Sequence, residues 1–74
     1  MGYNGHKNWN HWNVSLWINN DEIFYRLAKH CLSTNNRRDA AIMFIGFIGS
    51  HLKKTTPDGA PWSVSSVYHA MEGL

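Results

Sequence analysis

The 74-residue sequence lacks several features that would assign it to a large class of proteins. Cys31 is its single cysteine, so no internal disulfide can form, as is typical of a protein from a reducing cytoplasm. Only five residues are acidic and the net charge is +2, which excludes a DNA mimic that acts through dense negative charge. The longest apolar run, Ala40 to Gly49, is about half of what a membrane-spanning helix requires. The N-terminus is polar and has no signal-peptide pattern, so we expect a soluble protein without a membrane partner.

Groups for catalysis or metal binding are scarce. Cys31 lies on an apolar stripe, which favours a buried structural thiol over a reactive one. His6 and His11 are near each other, but no second pair exists to complete a zinc site. The acids are scattered and no glycine-rich phosphate loop follows a strand. The sequence therefore predicts no enzyme, no metal and no cofactor.

Aromatic residues are plentiful, with four Trp, three Tyr and three Phe. They can supply the core of one small domain over residues 1–74, in which we expect residues 1–8 to form a flexible segment. Trp9, Trp12 and Trp17 have two interpretations: packing into the core, which we favour, or a contact surface for bases or a protein. Tyr3 and Trp9 are expected to be the most exposed aromatics.

Hydrophobic periodicity predicts an all-α fold, a small bundle of about four short helices. The first begins after Asn8 and carries one apolar face; a short strand over residues 14–18 is the alternative. The second begins near a capping box formed by Asn19 and Glu22. The apolar face of the first helix consists of Trp9, Trp12, Leu16 and Trp17, of which Trp9 is expected to be the most exposed; that of the second consists of Ile23, Phe24, Leu27, Ala28, Cys31 and Leu32.

The third helix is predicted from Arg37 to about Lys53, with Asn36 as its N-cap and most of its length buried. Gly46 and Gly49 share one face, where we expect a helix or a Trp to approach the backbone closely. The segment Pro57-Asp58-Gly59 then predicts a turn, because proline presets φ and glycine permits a positive φ.

The last helix is predicted from Val64 to about Glu72, capped by Ser63 and stopped by Gly73. Its expected buried stripe is Val64, Val67, Tyr68, Met71 and Leu74, and its expected outward residues are Ser65, Ser66, His69 and Glu72.

The basic residues form two clusters, Arg26, Lys29, Arg37 and Arg38, and then Lys53 and Lys54. One interpretation is that they are solvated charges at helix ends that answer the helix dipole. The alternative is a surface that contacts phosphates.

The segment from Tyr3-Asn4-Gly5 through Trp12-Asn13-Val14-Ser15-Leu16-Trp17 to Asn20-Asp21-Glu22 resembles a group of short, uncharacterised proteins of phages and prophages. The likeness extends more loosely to the Thr-Pro-Asp-Gly segment and the final helix. It implies a phage origin and action in the cytoplasm of a bacterial host, but no activity.

The segment from Thr56 to Val67 is similar to a stretch in the DNA-binding region of large serine recombinases. There a helix, a Thr-Pro-x-Gly turn and a Trp-Ser/Thr segment lead into the second helix of a helix-turn-helix. The resemblance implies that the last two helices are arranged in this way. The recombinase pattern continues into arginines, whereas Tyr68 and His69 follow here, so the bidentate arginine contact to guanine is missing.

These observations predict a phage-encoded regulator that binds DNA or the host transcription apparatus, such as RNA polymerase, and a homodimer fits a helix-turn-helix of this size. The alternative is an inhibitor of a bacterial defence system, of the anti-CRISPR type, that covers a host protein through Tyr3, Trp9, Trp62 and Tyr68. The predicted contact residues of the regulator are Arg37, Arg38, Lys53, Lys54, Ser63, Ser65, Ser66, Tyr68 and His69.

Overall fold

The computed structural model describes residues 6–51 and 54–74, and these residues form a small bundle of four helices. The helices are α1 (Trp9–Asn20), α2 (Glu22–Thr34), α3 (Arg37–His51) and α4 (Val64–Ala70). Helix α1 packs against α2 and α4, and α3 packs against the same two helices, so the four helices contact one another in a closed cycle. The all-α prediction is confirmed. None of the helices described is both long and apolar enough to cross a membrane.

Polar side chains at the helix starts set the boundaries. The Asn8 side chain accepts a hydrogen bond from the backbone N–H of His11 at 3.0 Å, and Asn36 does the same for Asp39 at 2.8 Å. Both caps agree with the sequence prediction. The predicted capping box of Asn19 and Glu22 is wrong, because Asp21 caps α2 by accepting from Ile23 and Phe24. Asp21 also ends α1, so a single residue joins the two helices.

The apolar core lies between the four helices and holds one large ring, Phe44, which is fully buried. Trp62 packs on it from the segment before α4, with ring centroids 5.6 Å apart, and also lies 5.1 Å from Phe24. Burial of each large apolar side chain stabilises the fold by roughly 1.5–3 kcal/mol. The buried apolar residues are Val14, Ile18, Ala28, Cys31, Ala40, Ala41, Phe44, Ile48, Ala60, Val67, Ala70 and Met71.

The inner face of α1 differs from the prediction. It buries His11, Asn13, Val14 and Ile18, whereas Trp9 and Leu16 are exposed and Trp12 and Trp17 are half-buried. The two polar residues are buried because each finds a hydrogen-bonding partner far along the chain. The expected exposure of Trp9 is confirmed, while Tyr3 and the rest of residues 1–5 lie outside the described residues.

Several other burial predictions are wrong. Ile23 is exposed, since it lies at the outer side of the first turn of α2. Helix α3 is buried on one face only, because α2 and α4 cover that face, and its outer face exposes Ile42, Met43 and Phe47. An ideal Cβ on Gly46 or Gly49 meets no atom within 4 Å, so no described helix or Trp approaches the backbone there.

The connection between α3 and α4 covers residues 52–63, which is longer than the three or four residues of a standard helix-turn-helix turn. Its predicted turn is confirmed: the Gly59 N–H donates to the Thr56 carbonyl at 2.8 Å, and Gly59 has a φ of 98°. Thr56 and Ala60 face each other, and the Thr56 N–H donates to the Ala60 carbonyl at 2.8 Å. This folded loop is held against α1 by Asn13.

Candidate functional site

Helix α4 lies between α1 and α3 and is fixed at its start by a capping box. Ser63 Oγ accepts from the Ser66 N–H at 3.1 Å, and Ser66 Oγ accepts from the Ser63 N–H at 3.1 Å. Ser66 is fully buried, so its prediction as an outward contact residue is wrong: its hydroxyl serves the cap. Val64, predicted to be buried, is exposed because it begins the helix beyond the core.

Four side chains form a continuous row of contacts across the outer side of α4. The guanidinium carbon of Arg37 lies 3.9 Å from the ring centroid of Tyr68. The Tyr68 ring meets the His69 ring edge-on at 6.0 Å, and His69 lies 5.0 Å from the His11 ring. We call Arg37, Tyr68, His69 and His11 the cross-helix row, because it runs from the start of α3 over α4 to α1.

A shallow cavity of about 280 Å³ lies at one end of the cross-helix row. Arg38, Val64, Ser65 and Tyr68 line it, so three residues of α4 and the second residue of α3 share one surface. Arg38, Val64 and Ser65 are exposed, and Tyr68 is half-buried beneath Arg37. Among the predicted contact residues, Arg37, Arg38, Ser65, Tyr68 and His69 are therefore brought together.

The predicted lysines are not part of this surface. Lys54 is exposed but follows the opposite end of α3 from Arg37 and Arg38, and a helix of 15 residues is about 22 Å long. Its backbone carbonyl accepts from the Trp62 N–H at 3.2 Å. Lys53 lies outside the described residues. Ser63 is exposed, but its hydroxyl is used by the capping box.

The basic start of α3 does not favour the helix. Arg37 and Arg38 occupy its first turn, where the positive end of the helix dipole opposes a cation by about 0.3–1 kcal/mol. Neither arginine forms an ion pair with a described carboxylate. The ion pair among the described residues joins Arg26 and Glu22, both on α2. The interpretation as charges that answer the dipole therefore fails for these two arginines.

A second cavity, of about 300 Å³, lies at the other end of the cross-helix row. We call it the histidine cavity; it is lined by His6, Lys7, His11, His69 and Glu72. The Nε2 atom of His11 lies 3.3 Å from the Ser65 hydroxyl. Burial lowers the pKa of His11, and the nearby His69, Lys7 and His6 lower it further.

The cysteine and the potential metal ligands do not form a reactive or metal-binding arrangement among the described residues. Cys31 is fully buried, and burial raises the pKa of its thiol, which disfavours the nucleophilic thiolate. Within residues 6–51 and 54–74, no group of three His, Cys, Asp or Glu residues is placed to hold a metal ion. The arrangement on α4 can stack, donate hydrogen bonds and attract negative charge.

Sequence reasoning missed His11 and Lys7 as members of this surface. His11 stands inside a Trp-rich segment whose pattern indicated core, and it meets Ser65 across 54 positions of the sequence. No local signal links residues that far apart. For Lys7, the position directly before a capped helix was the available hint, since α1 packs against α4.

The fold and the surface together define a small helical protein with a surface of aromatic and basic side chains that is centred on its last helix and completed by residues of α3 and of the segment before α1. The chain belongs to a family of unknown function, DUF7249, whose model matches residues 1–74. Searches of curated proteins and of solved structures gave no significant match.

Proposed function

We propose that the chain is a non-enzymatic regulatory protein that binds DNA through the exposed side of α4. The observation that carries the proposal is the cross-helix row, in which a guanidinium, a phenol and two imidazoles cross one short helix in contact. Planar groups of this kind stack on bases and donate to phosphates.

The charges around the row support an anionic partner. Arg37 and Arg38 lie at one end and Lys7 at the other, while Glu72 is the one acid among the described residues that line the two cavities. The two arginines occupy a helix end that disfavours cations, so their positions cost stability that a bound phosphate would recover.

The exposed groups of α4 can also discriminate between bases. Ser65 and His69 offer hydroxyl and imidazole groups to a base edge, and Tyr68 offers a ring beneath Arg37. Helix α4 has seven residues and follows a connection of twelve residues, so the last two helices are not a standard helix-turn-helix. The shared feature would be that the second helix of the pair enters the major groove of the DNA. Such a short contact favours binding as a homodimer to two half-sites.

The resemblance to phage and prophage proteins supports a phage origin and action inside a bacterial host. In that setting the chain is phage-encoded and acts in the cytoplasm of the bacterial host, on DNA or on host RNA polymerase at a promoter. The family match covers the whole chain and assigns no activity, so it is compatible with this role and with others.

Fluorescence anisotropy with labelled mixed-sequence duplex DNA tests the proposal at low and at physiological salt. We expect dissociation constants of about micromolar at low salt, rising steeply as salt increases. The Arg37→Ala/Arg38→Ala variant should bind at least about tenfold more weakly and lower the salt slope by about 2.

The matched control is Arg26→Ala/Lys29→Ala, which removes the same charge from exposed positions on α2. It should change the affinity much less than the α3 variant. Equal losses in both variants would mean that net charge alone drives binding, and the α4 surface would be wrong. Absence of binding at low salt would remove DNA as the partner.

A second candidate function is inhibition of a bacterial defence system by covering a host protein, as anti-CRISPR proteins do. The observation that favours it is the outer face of α3, where Ile42, Met43 and Phe47 are 49%, 36% and 40% exposed. Of the aromatics predicted for this role, Trp9 is exposed, whereas Trp62 is packed between Phe24 and Phe44.

Inhibition of a host protein predicts a different dependence of binding on salt and on the two sets of substitutions. Binding to a purified defence complex should persist at physiological salt, fall strongly with Ile42→Asp, and keep its equilibrium affinity largely unchanged with Arg37→Ala/Arg38→Ala. A partner that is lost with the arginines but retained with Ile42→Asp would count against it.

A further inference from the structure

The histidine cavity brings together donors from two separate parts of the chain. His6 and Lys7 precede α1, His11 lies in its first turn, and His69 and Glu72 come from α4 and the turn after it. The cavity has a volume of about 300 Å³, which is large enough to accommodate a phosphate group.

Lys7 and the placement of the other lining residues favour an anion over a metal ion. Lys7 supplies three N–H donors and no acceptor, and each imidazole supplies one donor when neutral and two when protonated. The geometry of the described His, Cys, Asp and Glu side chains offers no metal site. Glu72 is the single acid among the described residues of the lining, and no ion pair joins it to Lys7.

The electrostatics of the cavity point the same way. The pKa of His11 is lowered by burial and then by His69, Lys7 and His6, so three neighbours oppose its protonation. Ser65 of α4 and Glu72 of the turn after α4 are the other polar groups on this side. A bound dianion would reverse this balance, because an opposite charge favours the protonated imidazole.

We infer that the histidine cavity is a phosphate-binding site, and that in the DNA complex it holds one backbone phosphate. The source of the phosphate rests on the proposed function. His69 belongs both to this cavity and to the cross-helix row. A DNA strand whose phosphate enters the cavity would therefore continue over Tyr68 towards Arg37.

Histidine-detected NMR of the full chain tests the site with inorganic phosphate as the probe, against chloride at equal ionic strength. We expect saturating shifts of the His11 and His69 ring signals and a higher pKa of His11 with phosphate than without it. His30, which is exposed on α2 and does not line the cavity, should not shift in a saturating manner. Identical changes with chloride, or no saturation, would overturn the inference.

The matched variants are Lys7→Ala and Lys29→Ala, since both lysines are exposed but only Lys7 lines the cavity. Lys7→Ala should weaken phosphate binding about fivefold, which corresponds to ~1 kcal/mol. Lys29→Ala should leave it unchanged. Equal effects of the two variants would contradict a local site.

The DNA titration separates this inference from the proposed function. If both hold, Lys7→Ala lowers the salt slope of DNA binding by about 1. Phosphate binding without DNA binding would support the site, make a free phosphate or phosphomonoester its ligand, and overturn the proposed function. DNA binding without phosphate-dependent shifts would overturn the site and leave the proposed function standing.

Discussion

The Nδ2 atom of Asn13 donates a hydrogen bond of 2.8 Å to Oδ2 of Asp58, 45 positions later in the chain. Trp17 donates to the same oxygen from its indole Nε1 at 3.0 Å. On its other side, Asn13 accepts a hydrogen bond from the Thr56 hydroxyl, which itself accepts from the Ala60 N–H at 3.0 Å. One buried amide of α1 thus holds the first and the third residue of the turn that leads towards α4.

Replacement of Asn13 by Ala should lower the free energy of unfolding by about 2–4 kcal/mol. The variant loses two hydrogen bonds, one of them to a carboxylate, and strands the buried Thr56 hydroxyl. Urea denaturation provides the measurement. The matched control is Asn20→Ala, an exposed position at the end of α1, for which we expect a change within about 0.5 kcal/mol. Similar values for the two variants would argue against the network.

Acid should destabilise the fold through Asp58. Hydrogen bonds from Asn13 and then Trp17 lower the pKa of Asp58, against a smaller opposing effect of burial. A carboxyl whose pKa is lower in the folded state stabilises above its ordinary pKa, and this contribution is lost as the pH falls through the folded value. Urea midpoints between about pH 6 and pH 3 measure the loss. The Asp58→Asn variant should be less stable than the original protein at about pH 6 and should lose less stability between about pH 6 and pH 3. A variant whose stability depends on pH as the original protein's does would contradict the role of Asp58.

Two helical serines, Ser66 of α4 and Ser33 of α2, should respond differently to substitution. Ser66→Ala should lower the free energy of unfolding by about 1 kcal/mol, because its buried hydroxyl completes the capping box with Ser63. Ser33→Ala, at an exposed position, should change it by less than about 0.5 kcal/mol. Thermal denaturation of both variants measures the difference, and the reverse order would show that the cap contributes little.

Two glycines should give opposite results when replaced by Ala. Gly46 lies within α3 with no atom near its ideal Cβ, so Gly46→Ala should stabilise the fold by about 0.5–1 kcal/mol. Gly59 has a φ of 98°, which L side chains rarely adopt, so Gly59→Ala should destabilise it by about 1 kcal/mol. Urea denaturation of both variants provides the test. A destabilised Gly46→Ala variant would indicate that something packs on α3 in solution.

Local rules predicted the helices well because helix starts depend on nearby residues. Asn8, Asn36 and Ser63 each cap the helix that follows, and the hydrogen bonds span three positions. The turn at Gly59 is equally local. The inner face of α1 was not predictable in this way, since burial of His11 and Asn13 depends on partners more than 40 positions away.

The candidate site was predicted in part for the same reason. Tyr68 and His69 were identified from their place on the last helix, and Arg37 and Arg38 from their charge. The contact between Arg37 and Tyr68 joins residues 31 positions apart, and no pattern in the sequence indicates it. The prediction that Ser66 faces outward was wrong because a serine on a helix is usually expected to face solvent. Its role in the capping box with Ser63 explains its burial.

The pairing of α1 with α4 has a consequence for synthesis of the chain. A ribosome makes α1 before α4, yet the residues that satisfy Asn13 and His11 lie beyond residue 55. Until those residues emerge, α1 has no partner for its buried amide and imidazole, and the bundle cannot close. We therefore expect the bundle to close only after α4 has been made, so nascent chains that stall before α4 should be open to proteases.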